Sequence, residues 1–176
     1  MSDLTIMKVS CADQRVDAIV NAANKHLRAG SGICGAIFAK AGHDELQAAC
    51  DKIKTPLQDG EAVITPSFQM DNCEAVIHAV GPNFSVTPEA FDKLFDAYYN
   101  SLLALKEAGY HSIAFPLISS GIFGGMLSDP AGVSAKQALE AYYKFRNDYP
   151  DYEIMIKLCC FTDKEFQAAS RAASGQ

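Results

Sequence analysis

The chain has 176 residues, a length typical of one domain, and its 49% hydrophobic and 20% charged residues are typical of a soluble globular protein. Its net charge of -6 argues against a general nucleic-acid or membrane-binding surface, because phosphate groups would be repelled. No stretch approaches the roughly 20 apolar residues that span a bilayer. We expect one domain over residues 1–176, frayed at 1–7 and 170–176, acting as a cytoplasmic monomer.

The chain contains six cysteines, and no two of them have the C-x-x-C spacing. The N-terminus lacks the apolar run of a signal peptide, so free thiols in a reducing compartment are expected rather than disulfides. Cys159 and Cys160 are adjacent on a predicted strand and would face opposite ways, which makes them a poor metal chelate. The sequence predicts neither a bound metal nor a cofactor.

Strand-like and helix-like segments alternate along the chain. Short runs rich in Val and Ile predict strands at Ala18–Val20, Ala62–Thr65, Ala75–Val80, Ser112–Leu117 and Ile154–Cys160. Apolar residues at helical spacing, together with capping residues, predict helices at Ile33–Ala41, Leu46–Ile53, Pro88–Ala108, Asp129–Phe145 and Asp163–Ala173. This alternation predicts a three-layer α/β/α sandwich.

The segment Val16–Gly35 is the first of three candidate site segments, all of which follow strands. An apolar strand leads into Asn21 and Asn24, then into Gly30-Ser31-Gly32 and a helix that begins near Ile33. Glycines allow close backbone approach, and a helix N-terminus presents free amides to an anion such as phosphate. The asparagines suit sugar hydroxyls, since each has donors and acceptors. The alternative is a turn that Asn and Gly build for structural reasons alone.

The second candidate segment is Pro116–Gly125, PLISSGIFGG. Its backbone amides could surround an anion. Ile122 and Phe123 are large apolar side chains that would be exposed to water unless they contact the core or a ligand. The alternative is a packed hairpin tip.

In the third segment, Val76–Asn83, a strand ends at Gly-Pro. His78 lies within that strand and is interpreted as a core histidine, with a catalytic role as the alternative.

Together these segments resemble the macro domain family. The motifs are V-D-A-I-V-N-A-A-N, the Gly-rich loop, V-I-H-A-V-G-P and S-S-G-I-F-G, in the family's order and spacing, and the resemblance runs from about Lys8 to about Phe166. It implies a central mixed sheet flanked by helices, with a cleft for ADP-ribose across its top. Because the N-terminus is short, we expect the first edge strand of larger family members to be absent or reduced.

The resemblance also implies roles for individual residues. Asn24 would meet the distal ribose and orient it for catalysis, and Phe161 would stack on adenine, with a core aromatic as its alternative. Val20 and Pro116 would line the adenine side. Backbone of two loops would contact the distal ribose and the diphosphate: Gly30, Ser31, Gly32 and Ile33 in one, and Ser119, Ser120, Gly121, Ile122 and Phe123 in the other.

Two departures from the family pattern bear on function. Many relatives have an Asp that hydrogen-bonds the adenine amino group where this chain has Ser10, and losing a charge-assisted bond there would weaken adenine binding by about 1–3 kcal/mol. The hydrolytic MacroD-type branch reads G-G-G-V-D-G-A-I-H in its catalytic loop, where this chain reads G-S-G-I-C-G-A-I-F. Cys34 thus replaces the Asp that helps activate water, and Phe38 replaces the His.

Cys34 is a candidate catalytic residue because a helix N-terminus lowers a thiol pKa, although a small residue that fills space is the alternative. Three functions therefore remain open. The chain is a hydrolase of ADP-ribose conjugates (ADP-ribosyl-protein or O-acetyl-ADP-ribose), a reader of ADP-ribose or ADP-ribosylated protein without turnover, or a binder of another nucleotide. The acidic pI argues against RNA.

Overall fold

The computed structural model describes residues 3–175. In that range the strands are β1 (Asp3–Lys8), β2 (Ala18–Ala23), β3 (Ala62–Pro66), β4 (Ala75–Val80), β5 (Ser112–Phe115) and β6 (Met155–Cys160). The α-helices are α1 (Gly32–Ala41), α2 (His43–Asp51), α3 (Phe91–Glu107), α4 (Pro130–Asp148) and α5 (Asp163–Ala173). Short 3₁₀ turns lie at Cys11–Asp13 and Ile122–Gly124.

All six strands form one sheet in the order β1-β6-β5-β2-β4-β3. Strand β3 runs antiparallel to β4, and all other neighbouring pairs are parallel, so the sheet is mixed, as expected. The carboxyl ends of five parallel strands therefore meet at one edge, which is where ligands gather in open α/β sheets.

Helices cover both faces of the sheet and complete the predicted three-layer sandwich. Buried side chains of α1 and α2 pack on one face, and those of α3, α4 and α5 pack on the other. Successive residues of a strand face opposite layers. On β2, Ile19 packs with the α1–α2 layer and Val20 with the α3–α5 layer.

Most of the residues at the termini that were expected to fray lie in regular secondary structure. Asp3–Lys8 forms the edge strand β1, which is paired in parallel with β6 along its full length. At the other end, α5 continues to Ala173. Residues 1, 2 and 176 lie outside the described residues.

Some predicted element boundaries agree with the structure and others differ from it. Strand β4 and helix α5 have the predicted bounds, and Thr162 caps α5 by accepting a hydrogen bond from the Glu165 amide at 3.1 Å. Pro88 was expected in the first turn of α3, but the helix begins only at Phe91. The fifth strand ends at Phe115, so residues from Pro116 onward are free to form a loop.

All six cysteines are buried, and none forms a disulfide. Within residues 3–175, no helix combines the length and apolar character that crossing a membrane requires. The same residues contain no cluster of three or more His, Cys, Asp or Glu side chains that could hold a metal ion.

Candidate functional site

A cavity of about 750 Å³ opens at the carboxyl edge of the sheet. Its walls come from the segments that follow β1, β2, β5 and β6 and from the first turn of α1. The volume lies within the range of pockets for small molecules and cofactors. Strand order thus brings together segments that lie as far apart in the chain as Val9 and Glu165.

Most of the predicted site residues line this cavity. They are Ser10, Asn24, Gly30, Ser31, Gly32, Ile33, Cys34, Pro116, Ser119, Ser120, Gly121, Ile122, Phe123 and Phe161. The structure does not place Val20 or Asn21 there, in contrast to the prediction. Val20 is fully buried against the α3–α5 layer, and Asn21 points beneath α1.

Asn24 fixes the loop that follows β2. Its side-chain oxygen accepts a hydrogen bond from the Arg28 amide at 3.0 Å, and its Nδ2 donates to the Arg28 carbonyl at 2.8 Å. Each end of the side-chain amide can form one further hydrogen bond, because Nδ2 has a second hydrogen and Oδ1 has a second lone pair. Asn24 can therefore shape the loop and contact a ligand at the same time.

Gln47 holds the same loop from α2, a role that no motif in the sequence indicates. Its Oε1 accepts a hydrogen bond from the Ala29 amide at 2.9 Å, and its Nε2 donates to the Leu27 carbonyl at 2.9 Å. These two hydrogen bonds fix the direction in which the chain enters α1. Ser31 precedes the helix and makes no side-chain capping bond, so the first amides of α1 face the cavity without an internal acceptor.

Cys34 lies in the first turn of α1 and is buried against the loop. Its thiol donates to the Arg28 carbonyl at a sulfur–oxygen distance of 3.7 Å. Burial raises the pKa of this thiol, and contacts with the Asn21 side chain and the Gly30 backbone offset only part of that effect. The helix N-terminus therefore does not make Cys34 a thiolate, and a neutral thiol is a weak nucleophile.

In the loop after β5, the serine hydroxyls form hydrogen bonds within the protein, whereas the backbone amides remain available to a ligand. The Ser119 hydroxyl donates to the Pro82 carbonyl at 2.7 Å, and the Ser120 hydroxyl donates to the Leu117 carbonyl at 2.7 Å. Phe123 accepts a hydrogen bond from the Phe84 amide at 2.8 Å. At Gly125, where φ is +57°, a Cβ would lie 2.6 Å from the Ser85 nitrogen, so only glycine allows this close approach.

Two apolar side chains at the cavity mouth are largely uncovered. Ile122 is 86% exposed and Phe161 is 76% exposed, although both line the cavity. The loop after β5 is therefore not a packed hairpin tip, and Phe161 is not a core aromatic. Both side chains are placed to cover a ligand.

The end of the cavity near Phe161 contains residues that the motifs did not indicate. Cys11, Cys159 and Glu165 line it together with Ser10. Burial, and then hydrogen bonding with Cys159, raise the pKa of Cys11, so this thiol is neutral as well. Among the described residues, Glu165 is the one carboxylate in the cavity wall, and no lysine or arginine lines it.

His78 lies beneath the cavity and not in it. Its Nδ1 accepts a hydrogen bond from Asn21 Nδ2 at 3.1 Å, and its Nε2 lies 3.0 Å from the Thr65 hydroxyl, which itself donates to the Pro66 carbonyl. This pattern places the ring proton on Nε2. Burial lowers the pKa of His78 to about 4, which makes it the neutral core histidine that the sequence indicated.

Comparison with known proteins gives the family. The protein-family model described as Macro domain matches residues 20–133 of this chain. The chain belongs to the macro domain family. It is 35% identical to an O-acetyl-ADP-ribose deacetylase of Escherichia fergusonii, over 99% of this chain and 97% of that protein. It is also 40% identical to an O-acetyl-ADP-ribose deacetylase of Salmonella gallinarum, over 77% of this chain and 76% of that protein.

Solved macro domains have the same fold. The Oceanobacillus iheyensis macrodomain with ADP superposes with a TM-score of 0.86 at 29% identity, covering 98% of this chain and 90% of that one. The Trypanosoma brucei macrodomain in complex with ADP-ribose superposes with a TM-score of 0.84 at 29% identity, covering 97% and 68% of the two chains.

Proposed function

We propose that this macro domain binds ADP-ribose and hydrolyses its conjugates, with O-acetyl-ADP-ribose or mono-ADP-ribosyl-protein as substrate. The observation that carries the proposal is the order of groups along one cavity. Phe161 follows β6, the amides of residues 119–123 follow β5, and Asn24 follows β2, and these three strands are neighbours in the sheet in that order. ADP-ribose presents adenine, diphosphate and ribose in the same order.

The diphosphate is the part of the ligand that needs the most explanation, because the protein has a net charge of -6. No cationic side chain lines the described cavity, so the phosphates would be held by neutral donors. The amides of residues 119–123 and of the first turn of α1 provide these donors, and the α1 N-terminus adds a favourable dipole. Binding by amides also avoids attracting unrelated polyanions to a basic surface.

Hydrolysis at this site would depend on a positioned water. At the ribose end the described cavity wall offers no carboxylate or histidine as a base, and the Cys34 thiol is neutral. Water held by a ligand phosphate and the loop amides would add to the acetyl carbonyl, releasing acetate and ADP-ribose. With a ribosyl-protein substrate the water would attack the anomeric carbon and break its bond to the protein side chain, releasing ADP-ribose and the protonated side chain. Asn24 would orient the ribose, and positioning with amide stabilisation can supply much of the rate enhancement.

The two relatives named O-acetyl-ADP-ribose deacetylase support this activity, and the macrodomain structures with ADP and ADP-ribose support the ligand. The six buried thiols without disulfides fit a reducing compartment such as the cytoplasm, where we propose that the protein acts.

A reader of ADP-ribose without turnover is the second candidate. It is favoured by the loop in which Cys34 and Phe38 replace the Asp and His of the hydrolytic branch. Both side chains are buried, and neither can supply or accept a proton for an attacking water at neutral pH.

Calorimetric titration with ADP-ribose, with ADP and AMP as controls, tests binding. We expect a dissociation constant in the micromolar range, about -8 kcal/mol, and weaker binding of both controls because they lack the distal ribose. Acetate release from O-acetyl-ADP-ribose then separates the candidates. Release faster than the spontaneous rate supports the hydrolase, and tight binding without release supports the reader. If ADP-ribose does not bind, the resemblance describes only the fold.

A further inference from the structure

We propose that Glu165 selects the base of the ligand by accepting a hydrogen bond from the exocyclic amino group of adenine. The inference rests on the proposed ADP-ribose binding and adds a residue that determines its base specificity. Glu165 lies in the first turn of α5 and lines the cavity end that Phe161 also lines.

The two segments at this end are held together by the sheet. Strand β1 pairs with β6 up to Lys8 and Cys160, and the Val9 amide then donates to the Cys160 carbonyl at 3.0 Å. Ser10 and Phe161 follow directly, so both leave the sheet at the same point. Lys8 also forms an ion pair with Asp163 at 2.8 Å, but both side chains are largely exposed, and such surface pairs contribute little. The pairing of β1 with β6 is what brings the start of α5, and with it Glu165, beside the base-binding end.

One oxygen of the Glu165 carboxylate is immobilised and the other is free. Its Oε1 accepts hydrogen bonds from the amides of Phe161 at 2.9 Å and Thr162 at 3.0 Å, completing the capping box of α5. Among residues 3–175, no group donates to Oε2. The carboxylate thus has a fixed position and an unused acceptor, and a pre-organised acceptor binds with little loss of side-chain entropy.

Ser10 is a poor alternative acceptor, although its position in the family pattern belongs to an Asp. The Ser10 hydroxyl is neutral, and a hydrogen bond to a neutral acceptor is weaker than one to a carboxylate. Glu165 then remains as the one charged side chain in the described cavity wall. A carboxylate accepts from a 6-amino purine and repels the carbonyl oxygen of a 6-oxo purine.

The test compares ADP-ribose with inosine diphosphate ribose, which differs in having a 6-oxo group, by calorimetry on the wild type and on Glu165→Gln. Glutamine also completes a capping box, with its oxygen on the Phe161 and Thr162 amides. Its amide nitrogen then replaces Oε2 and becomes a donor. We expect the variant to bind ADP-ribose about 10- to 100-fold more weakly and to bind the inosine ligand more tightly than the wild type does.

Asp163→Asn is the matched control, because it removes a carboxylate from the same helical turn without lining the cavity. It should leave the ratio of the two affinities unchanged, and thermal unfolding should show that both variants remain folded. If Glu165→Gln keeps the wild-type ratio of affinities, the inference is wrong even though ADP-ribose binds. If the wild type binds neither ligand, the proposed function itself fails.

Discussion

The phenol oxygen of Tyr98 accepts a hydrogen bond from the Ile118 amide at 3.0 Å and lies 2.6 Å from the Ser134 hydroxyl. Ser134 in turn donates to the Ile118 carbonyl at 2.5 Å. Side chains of α3 and α4 thus satisfy both backbone groups of Ile118, which directly precedes the loop of residues 119–123. Burial raises the pKa of Tyr98, so it is a neutral phenol at neutral pH.

Replacing Tyr98 with Phe should weaken both the fold and the ligand site. The Ile118 amide would lose its acceptor in the interior, which costs about 1–3 kcal/mol, and the loop amides would be less well ordered. Urea unfolding measures the first effect and calorimetry with ADP-ribose the second. Tyr99→Phe is the matched control, because that phenol bonds the Asp148 carboxylate near the surface and far from the loop. Equal stability of the two variants would contradict the prediction.

The sequence predicts the layers of the fold well, because buried parallel strands and capped helices have strong local patterns. It does not reveal β1, in which Leu4 and Ile6 alternate with more exposed residues along the edge of the sheet. The pairing of β1 with β6 depends on contacts between residues about 150 positions apart. Such contacts leave no local pattern in one sequence.

The predicted site residues line the cavity where their motif becomes a loop and lie away from it where the motif remains a strand. The prediction placed both Val20 and Asn21 at the ligand, yet neighbouring residues of β2 face opposite layers and neither side chain reaches the cavity. Gln47 and Tyr98 act on loops 20 residues away through backbone groups. Their roles follow from helix packing, which spacing alone does not indicate.

Gly121→Glu should abolish ADP-ribose binding without unfolding the protein. A Cβ at Gly121 would meet no atom within 4 Å, so the space around this residue accommodates a side chain. The added carboxylate would enter the cavity beside the loop amides and repel the diphosphate. Calorimetry measures the loss, and thermal unfolding checks the fold. Gly121→Ala, which adds only a methyl group, should retain more affinity; unchanged affinity in the Glu variant would contradict the assigned phosphate site.

Cys34→Ser should keep hydrolysis of O-acetyl-ADP-ribose within about a factor of three of the wild type. Burial raises the pKa of the thiol, so it does not serve as a nucleophile, and serine can donate to the Arg28 carbonyl in its place. Single-turnover rates at saturating substrate give the comparison. Cys50→Ser is the control, since that buried thiol lies outside the cavity wall. A thousandfold loss confined to the Cys34 variant would assign it a covalent role.

Asn24→Ala should reduce turnover more than binding, if the protein is a hydrolase. The amide fixes the loop at Arg28 and has one donor and one acceptor left to orient the ribose, and a misplaced substrate can lower kcat by about 10²-fold. Steady-state kinetics and calorimetry separate the two effects. Arg28→Ala serves as control, because it removes an exposed side chain and keeps the backbone atoms that Asn24 binds. Equal losses of turnover and affinity would reduce Asn24 to a simple contact.

His78 should make the protein less stable as the pH falls from about 6.5 to 4. Above this window the ring is neutral in both folded and unfolded chains and contributes no pH dependence. Within it the unfolded chain takes up a proton near pH 6.5, whereas burial lowers the pKa of the folded-state ring to about 4, so protonation favours unfolding. The full difference of about 2.5 pH units corresponds to roughly 3 kcal/mol.

His78→Gln isolates this contribution, because glutamine does not titrate. The variant is expected to be less stable at pH 7.5, since Asn21 and Thr65 lose their partner ring in the interior. Carboxylates contribute the same pH dependence to both proteins, so any difference in slope comes from His78. The free energy of unfolding of the wild type should therefore fall more steeply between pH 6.5 and 4 and approach that of the variant. Denaturant unfolding at half-unit pH steps measures both curves. Parallel curves would mean that the pKa of His78 is the same in the folded and unfolded chains, which would contradict the prediction.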